Sequence, residues 1–154
     1  MQKVGLFNFF NQIKILNILY DCGKYMSQKY NLNHWNNSYL KNLIIILICE
    51  IKNSVYIVKN EKNIPIATFQ LNRKGAVLRF EKLATSPEVS GRGIGSFCVD
   101  YIERMAKELG CNKVCMKVYS QSEHARLFYE HRGYQFSGIT VTLKYSMIKM
   151  EKIL

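Results

Sequence analysis

Leu83-Ala84-Thr85-Ser86-Pro87-Glu88-Val89-Ser90-Gly91-Arg92-Gly93-Ile94-Gly95 is the stretch that decides how this chain folds. The residues before it, Val77–Thr85, read as a β-strand. The residues after it place Ile94, Phe97, Cys98, Tyr101, Ile102, Met105 and Leu109 on one helix face. Asp100, Glu103, Arg104, Lys107 and Glu108 take the other face, and Gly110 supplies the stop. A strand, a glycine-rich turn and a helix make an anion site. The first-turn N–H groups lack intrahelical partners, and the helix dipole adds positive potential. Glycine lets the backbone approach a phosphate closely, and Arg92 adds a charge. A Walker loop would need a Gly-Lys-Ser/Thr ending, which is absent. A dinucleotide turn would need glycine or alanine where Ser96 stands, and a parallel βαβ unit near the chain start.

Outward from this segment the period of the sequence changes several times. Asn8–Tyr25 has helical spacing through Phe9, Ile13, Leu16, Ile18, Leu19 and Tyr20, with Gly23 as its expected stop. Asn31–Ser38 reads as a loop carrying Trp35, the only tryptophan, and Ser38 as the cap of a helix through Leu40–Ile51. The run Leu43–Cys49 is apolar on nearly every face, which implies deep burial or a partner surface. Strands Val55–Lys59 and Ile64–Leu71 flank a hairpin turn, and Pro65 sits near a strand start, where a missing N–H is tolerable. Asn72–Gly75 forms the next turn. Lys113–Tyr119 reads as a strand, Ser120 and Glu123 as a capping box for a helix to Gly133, and Tyr134–Gly138 and Thr140–Met150 as the last two strands. With a short strand before Phe7, the order is that of a mixed α/β layer fold.

The decisive segment closely resembles the acyl-CoA-binding motif of the GNAT superfamily of N-acyltransferases, Arg/Gln-x-x-Gly-x-Gly/Ala between a strand and a long helix. Gly93 and Gly95 match it, Gly91-Arg92 matches a common Gly-Lys pair, and Ser90 stands where Arg or Gln is usual. Downstream, Ser122-Glu123-His124-Ala125-Arg126-Leu127-Phe128-Tyr129-Glu130-His131-Arg132-Gly133-Tyr134 looks like the family's Asn-x-x-Ala-x-x-Phe-Tyr-x-x-x-Gly-Phe, with Ser122 and Tyr134 as the departures. The two motifs together span about residues 77–138.

The resemblance implies a GNAT-like fold, with a central, mostly antiparallel mixed sheet whose fourth and fifth strands splay apart. Pantetheine would pair there with backbone groups of Leu83 and Thr85, beside Ala84. The pyrophosphate of acetyl-CoA would rest on the segment Ser90, Gly91, Arg92, Gly93, Ile94, Gly95 and Ser96, with Ser122 and Phe128 also at the cofactor. Tyr129 matches the family's general-acid tyrosine, and a phenol that is protonated at neutral pH suits that work. Its competing role is a core aromatic. Glu81, on the strand face of Arg79, is the best carboxylate for deprotonating the acceptor, against a surface pair with Arg79. A backbone N–H near Thr85 would polarise the thioester carbonyl. Trp35 and Tyr39 would wall the acceptor site, against ordinary packing.

Composition bounds these readings. The 154 residues suit one domain, residues 1–154, with a core that needs no metal or disulfide staple. The net charge is +11, with eight basic and three acidic residues before residue 71 and fourteen and eight from there on. That even spread reads as a solvated basic surface, and a nucleic-acid partner is disfavoured. Five cysteines without a CxxC pair, and only three histidines, argue against a zinc site or a disulfide framework and for reduced thiols in the cytoplasm. No apolar run approaches the ~20 residues of a membrane helix, and no signal peptide is read near the N-terminus. The expected activity is transfer of an acetyl group from acetyl-CoA, with no metal, to a primary amine of a small molecule or peptide. A CoA-binding sensor without turnover is the alternative, a basic nucleic-acid binder the third. A homodimer is compatible with all of this.

Overall fold

The computed structural model describes residues 1–4, 9–33, 35, 39–52, 54–142 and 144–154. Its elements are β1 (Gln2–Val4), α1 (Phe9–Tyr30), α2 (Tyr39–Lys52), β2 (Ser54–Lys59), β3 (Pro65–Lys74), β4 (Val77–Thr85), a 3-10 turn (Pro87–Val89), α3 (Ile94–Glu108), β5 (Lys113–Tyr119), α4 (Glu123–Glu130), β6 (Gln135–Val141) and β7 (Ser146–Ile153). The strands follow the order β1-β2-β3-β4-β5-β7-β6, mostly antiparallel, with β4 and β5 parallel. This is the mixed α/β, GNAT-like sheet that the motifs imply. The chain divides into two compact units, Met1–Asn72 with Lys82–Asp100, and Arg73–Glu81 with Tyr101–Leu154.

The first unit is built on α1. Its buried face carries Ile15, Leu16, Ile18 and Leu19, which join Val4, Ile46, Val55, Ile57 and Ala84 in one core cluster. The helix does not stop at Gly23, which is buried, and runs on to Tyr30. Burial of the backbone there outweighs glycine's modest helix penalty of about 1 kcal/mol. Helix α2 buries Asn42 and Ile46 only in part of its circumference; Leu40, Ile44, Leu47 and Ile48 are exposed. Of the two readings of the run Leu43–Cys49, burial on every face is not seen: Ile46 is buried, whereas Ile44, Leu47 and Ile48 form an exposed apolar stripe. The cap expected at Ser38 lies outside the described residues, as do His34, Asn36 and Asn37. The hairpin β2–β3 closes as its sequence predicts. Asn60 pairs with Ile64 through backbone and side chain, at 2.9 Å in each bond, and Asn63 takes the left-handed conformation. Pro65 opens its strand at a register shift between Val58 and Lys59.

In the second unit β5 pairs in parallel with β4 from Val77/Lys113 to Arg79/Cys115, and antiparallel with β7 along its whole length. Helix α3 runs as predicted to the Gly110 stop, which has a φ of +71°. Its buried residues are Cys98, Val99, Ile102 and Ala106, whereas Phe97 is exposed. The apolar stripe is thus rotated by about one residue from the face read in the sequence. The capping box expected at Ser120 and Glu123 is replaced by Ser122 at the N-cap, without a side-chain cap bond. The last two strands also differ from expectation. Gly138 does not end a strand but sits at a register shift inside β6, and the turn falls at Thr142–Tyr145, held by the Thr142 hydroxyl.

Candidate functional site

In the first unit, β4 delivers the chain into a turn built from successive short backbone bonds. Val89 N–H donates to Ser86 at 3.1 Å, Ser90 N–H to Pro87 at 3.1 Å and Arg92 N–H to Val89 at 3.3 Å. Gly91 and Gly93 have φ values of +77° and +78°. A Cβ built at either would meet no heavy atom within 4 Å. Glycine is required here by the left-handed backbone and not by crowding, so the space beside the backbone stays open. The first bond of α3 runs from Phe97 N–H to the Gly93 carbonyl at 2.9 Å. The N–H groups of Ile94, Gly95 and Ser96 precede that bond and have no intrahelical acceptor. With exposed Arg92 beside them, they form a cradle that fits a phosphate group.

The strand that leads in carries Leu83 and Thr85 half-buried and Ala84 buried. Lys82 interrupts it with a φ of +49°, a left-handed residue that is not glycine and that re-aims the strand just before the cradle. Sequence reasoning missed it because nothing in a lysine signals that conformation. The Thr85 N–H is directed at the Cys22 thiol of α1. That engages the amide expected to polarise a thioester carbonyl. Burial pushes the Cys22 thiol up to about 11; the Thr85 bond pulls it down and the Asp21 charge adds to the rise.

Trp35 is half-buried against the core cluster of this unit. The Tyr39 hydroxyl donates to Asn17 Oδ1 at 2.9 Å, and its ring meets Tyr20 edge-on at 5.8 Å. Tyr39 therefore ties its segment onto α1, and it remains partly exposed.

In the second unit, Tyr129 of α4 is buried in an aromatic cluster. Its ring lies 4.9 Å from Phe128, 5.7 Å from Tyr134 and 5.8 Å from Phe80. Phe128 is half-buried, with the Arg132 guanidinium 5.8 Å from its ring. Burial, and then the Glu103 charge, hold the Tyr134 phenol far above the ordinary tyrosine range. Ser122 is buried at the start of the helix, and Arg126 braces the helix with a 2.7 Å bond to Glu130. Glu81 stands 3.7 Å from Arg79, both side chains partly exposed, so the pairing weighed against a base role is present. The candidate residues thus fall into two groups. The cradle, its entry strand, Trp35 and Tyr39 belong to the first unit, and Glu81, Ser122, Phe128 and Tyr129 to the second.

Among the described residues, Cys22, Cys98, Cys111 and Cys115 are free thiols, and no group of side chains has the makings of a metal site. No helix among them is long and apolar enough to cross a membrane.

Comparison with known proteins agrees with this geometry. The sequence model of the acetyltransferase (GNAT) family matches residues 15–134. A GNAT family acetyltransferase from Elizabethkingia anophelis with acetyl-CoA bound is similar at 16% identity and a TM-score of 0.67, over 72% of this chain and 82% of that one. PaiA N-acetyltransferase from Thermoplasma acidophilum, in complex with coenzyme A, is similar at 17% identity and a TM-score of 0.74, over 99% and 97%. IAA acetyltransferase from Bacillus cereus ATCC 14579 is similar at 14% identity and a TM-score of 0.70, again over 99% and 97%. At these identities the likeness shows the fold alone. A search of curated proteins gives no match.

Proposed function

The chain belongs to the GNAT acetyltransferase family, and from that premise we propose that it transfers the acetyl group of acetyl-CoA to a primary amine of a small molecule or peptide. The observation that carries this reading is the cradle at Gly91–Ser96, where two left-handed glycines leave open space beside helix-start amides that have no intrahelical acceptor. It suits a pyrophosphate, and solved structures of the same fold hold acetyl-CoA or coenzyme A. Residues 1–154 act as one domain in this proposal. The thiols suit the cytoplasm, and the amine acceptor, or a second copy of the chain, is the expected partner.

The proposed chemistry is direct attack. A neutral amine forms a C–N bond at the thioester carbonyl, the C–S bond breaks, and the thiolate takes a proton. Tyr129 supplies that proton, and its ring is fixed by its aromatic neighbours. Glu81 accepts the proton lost by the amine, directly or through water, with Arg79 beside it at 3.7 Å. Leu83 and Thr85 offer backbone groups to pantetheine. The Ser90–Ser96 segment carries the pyrophosphate, and Ser122 and Phe128 line the cofactor. Trp35 and Tyr39 stand at the acceptor side. Thiol release from acetyl-CoA across amino acids, polyamines, aminoglycosides and peptides tests the reading. Tight acetyl-CoA binding with no release on any amine would favour a sensor instead.

A further inference from the structure

The turn that holds the cradle is reached by α1 of the same unit, at a place where the chain departs from the family motif. Ser90, which ends the 3-10 turn at Pro87–Val89, carries a hydroxyl and no charge. Helix α1 packs against this turn, and Ser90 stands close to the Tyr25 phenol across that contact. The Lys29 ammonium, one helical turn further along α1, donates to the same Tyr25 oxygen at 2.6 Å. Ser90, Tyr25 and Lys29 thus line up from the residue just before the cradle to a cation.

The ammonium is placed as well as charged. It lies 5.1 Å from the Tyr25 ring centre and 5.4 Å from that of Tyr30. The two rings meet edge-on at 6.2 Å. A lysine held by the Tyr25 hydroxyl and lying beside the Tyr30 ring loses less freedom on meeting an anion than a free one. The neighbouring Glu88 carboxylate is exposed on the 3-10 turn and opposes anion binding, which makes an extra cation there more useful.

We infer that Lys29, positioned by Tyr25 and Ser90, is a phosphate-binding residue that supplies at the cradle the positive charge the Ser90 position lacks. This rests on the acetyl-CoA reading above and adds the residue that binds the nucleotide part of the donor. The Tyr25 phenol is drawn down from its usual range, first by the Lys29 bond, and Lys29 is raised by the same bond, so the ammonium stays charged throughout the neutral range. A purely structural Lys29, capping the last turn of α1, would affect helix stability and nothing else.

The experiment measures acetyl-CoA affinity, and the rate with acetyl-CoA against acetyl-pantetheine, which has the thioester but no nucleotide phosphates. Lys29→Met should weaken acetyl-CoA binding about three- to tenfold, the range of an exposed charge-assisted contact. It should leave the rate with acetyl-pantetheine unchanged. Ser90→Arg placed in the Lys29→Met background should restore acetyl-CoA affinity. Lys24→Met, on the same helix with its ammonium 4.5 Å from the Tyr20 ring, should behave as the unaltered protein. Equal acetyl-CoA affinity in Lys29→Met and the unaltered protein would overturn the inference, as would an equal loss with acetyl-pantetheine. No acetyl-CoA binding by the unaltered protein would instead overturn the acetyl-CoA reading itself.

Discussion

Tyr134 N–H donates to the Tyr129 carbonyl at 3.0 Å, and the two rings meet edge to face at 5.7 Å. The end of α4 is thereby fastened to the residue that follows it, and Phe80 closes the cluster from β4 at 5.8 Å and 6.1 Å from the two rings. The ring of Tyr129 is packed against three aromatic neighbours, contacts that a phenylalanine would keep. Tyr129→Phe should therefore keep the melting temperature and the acetyl-CoA affinity close to their starting values. If the hydroxyl protonates the departing thiolate, kcat should fall by about 10²–10⁴-fold, the usual contribution of a general acid. Near-normal turnover in the Phe variant would leave Tyr129 as a packing residue.

Gly93 offers a second test, because its backbone has a φ of +78° and free space where a side chain would go. Gly93→Val should cost roughly 1–2 kcal/mol of stability from the left-handed backbone alone. It should also abolish the rise in melting temperature that acetyl-CoA produces, since the new side chain fills the approach to the helix-start amides. The comparison is the ligand-induced shift, with the fall of the unliganded protein subtracted. An undiminished shift would move the cofactor away from this turn.

Glu81→Gln separates a base from a surface pair. Both side chains of the pair are about two-fifths exposed, 39% for Glu81 and 43% for Arg79. An ion pair that open contributes about 0–1 kcal/mol, so the melting temperature should barely move. A base role predicts slower turnover, most marked at low pH where the acceptor amine is protonated, with acetyl-CoA affinity unchanged. Superimposable pH–rate profiles would remove Glu81 from the chemistry.

What the sequence shows of this fold follows from the range of each signal. The cradle, α3, its Gly110 stop and the Asn60–Ile64 hairpin are local: a few adjacent residues fix each, so each is readable from the chain. The misreadings occur where distant residues decide. Gly23 looks like a helix stop until the burial of its backbone is known. Gly138 looks like a strand end, but β6 runs on through it, paired with Lys149 of β7 just after a register shift at Ser137. The turn at Thr142–Tyr145 carries neither glycine nor proline and is closed by one threonine hydroxyl. The contact of Tyr25 with Ser90 joins residues from different elements, and a helix taken to end near Gly23 hides it. Lys82 is left-handed, and nothing in a lysine signals that conformation in the sequence. Motif matching found the candidate site, whereas its supporting contacts are tertiary and silent in the sequence.

Two thiols, the half-buried Cys22 and the buried Cys98, predict how stability responds to alkali. Burial holds Cys22 protonated up to about 11 and Cys98 up to about 12 in the folded chain, against an ordinary thiol value of 9.0. Below pH 9 both states keep these protons, and the thiols add no pH dependence. Between 9 and about 11 the unfolded chain releases the Cys22 proton and the folded chain does not, so the unfolded state gains and stability falls as pH rises. Cys98 acts in the same sense up to about 12. A two-unit shift corresponds to about 2–3 kcal/mol when complete, an order-of-magnitude figure for the Cys22 contribution. The expected outcome is a melting temperature that is level across the neutral range and declines above pH 9. Cys22→Ala should flatten part of that decline while lowering stability at pH 7, because it removes the group Thr85 donates to. Thiol-reactive reagents at neutral pH should label the buried Cys98 only as fast as the chain opens. An equally steep alkaline decline in Cys22→Ala would mean that other groups, the ten tyrosines and the lysines among them, carry it.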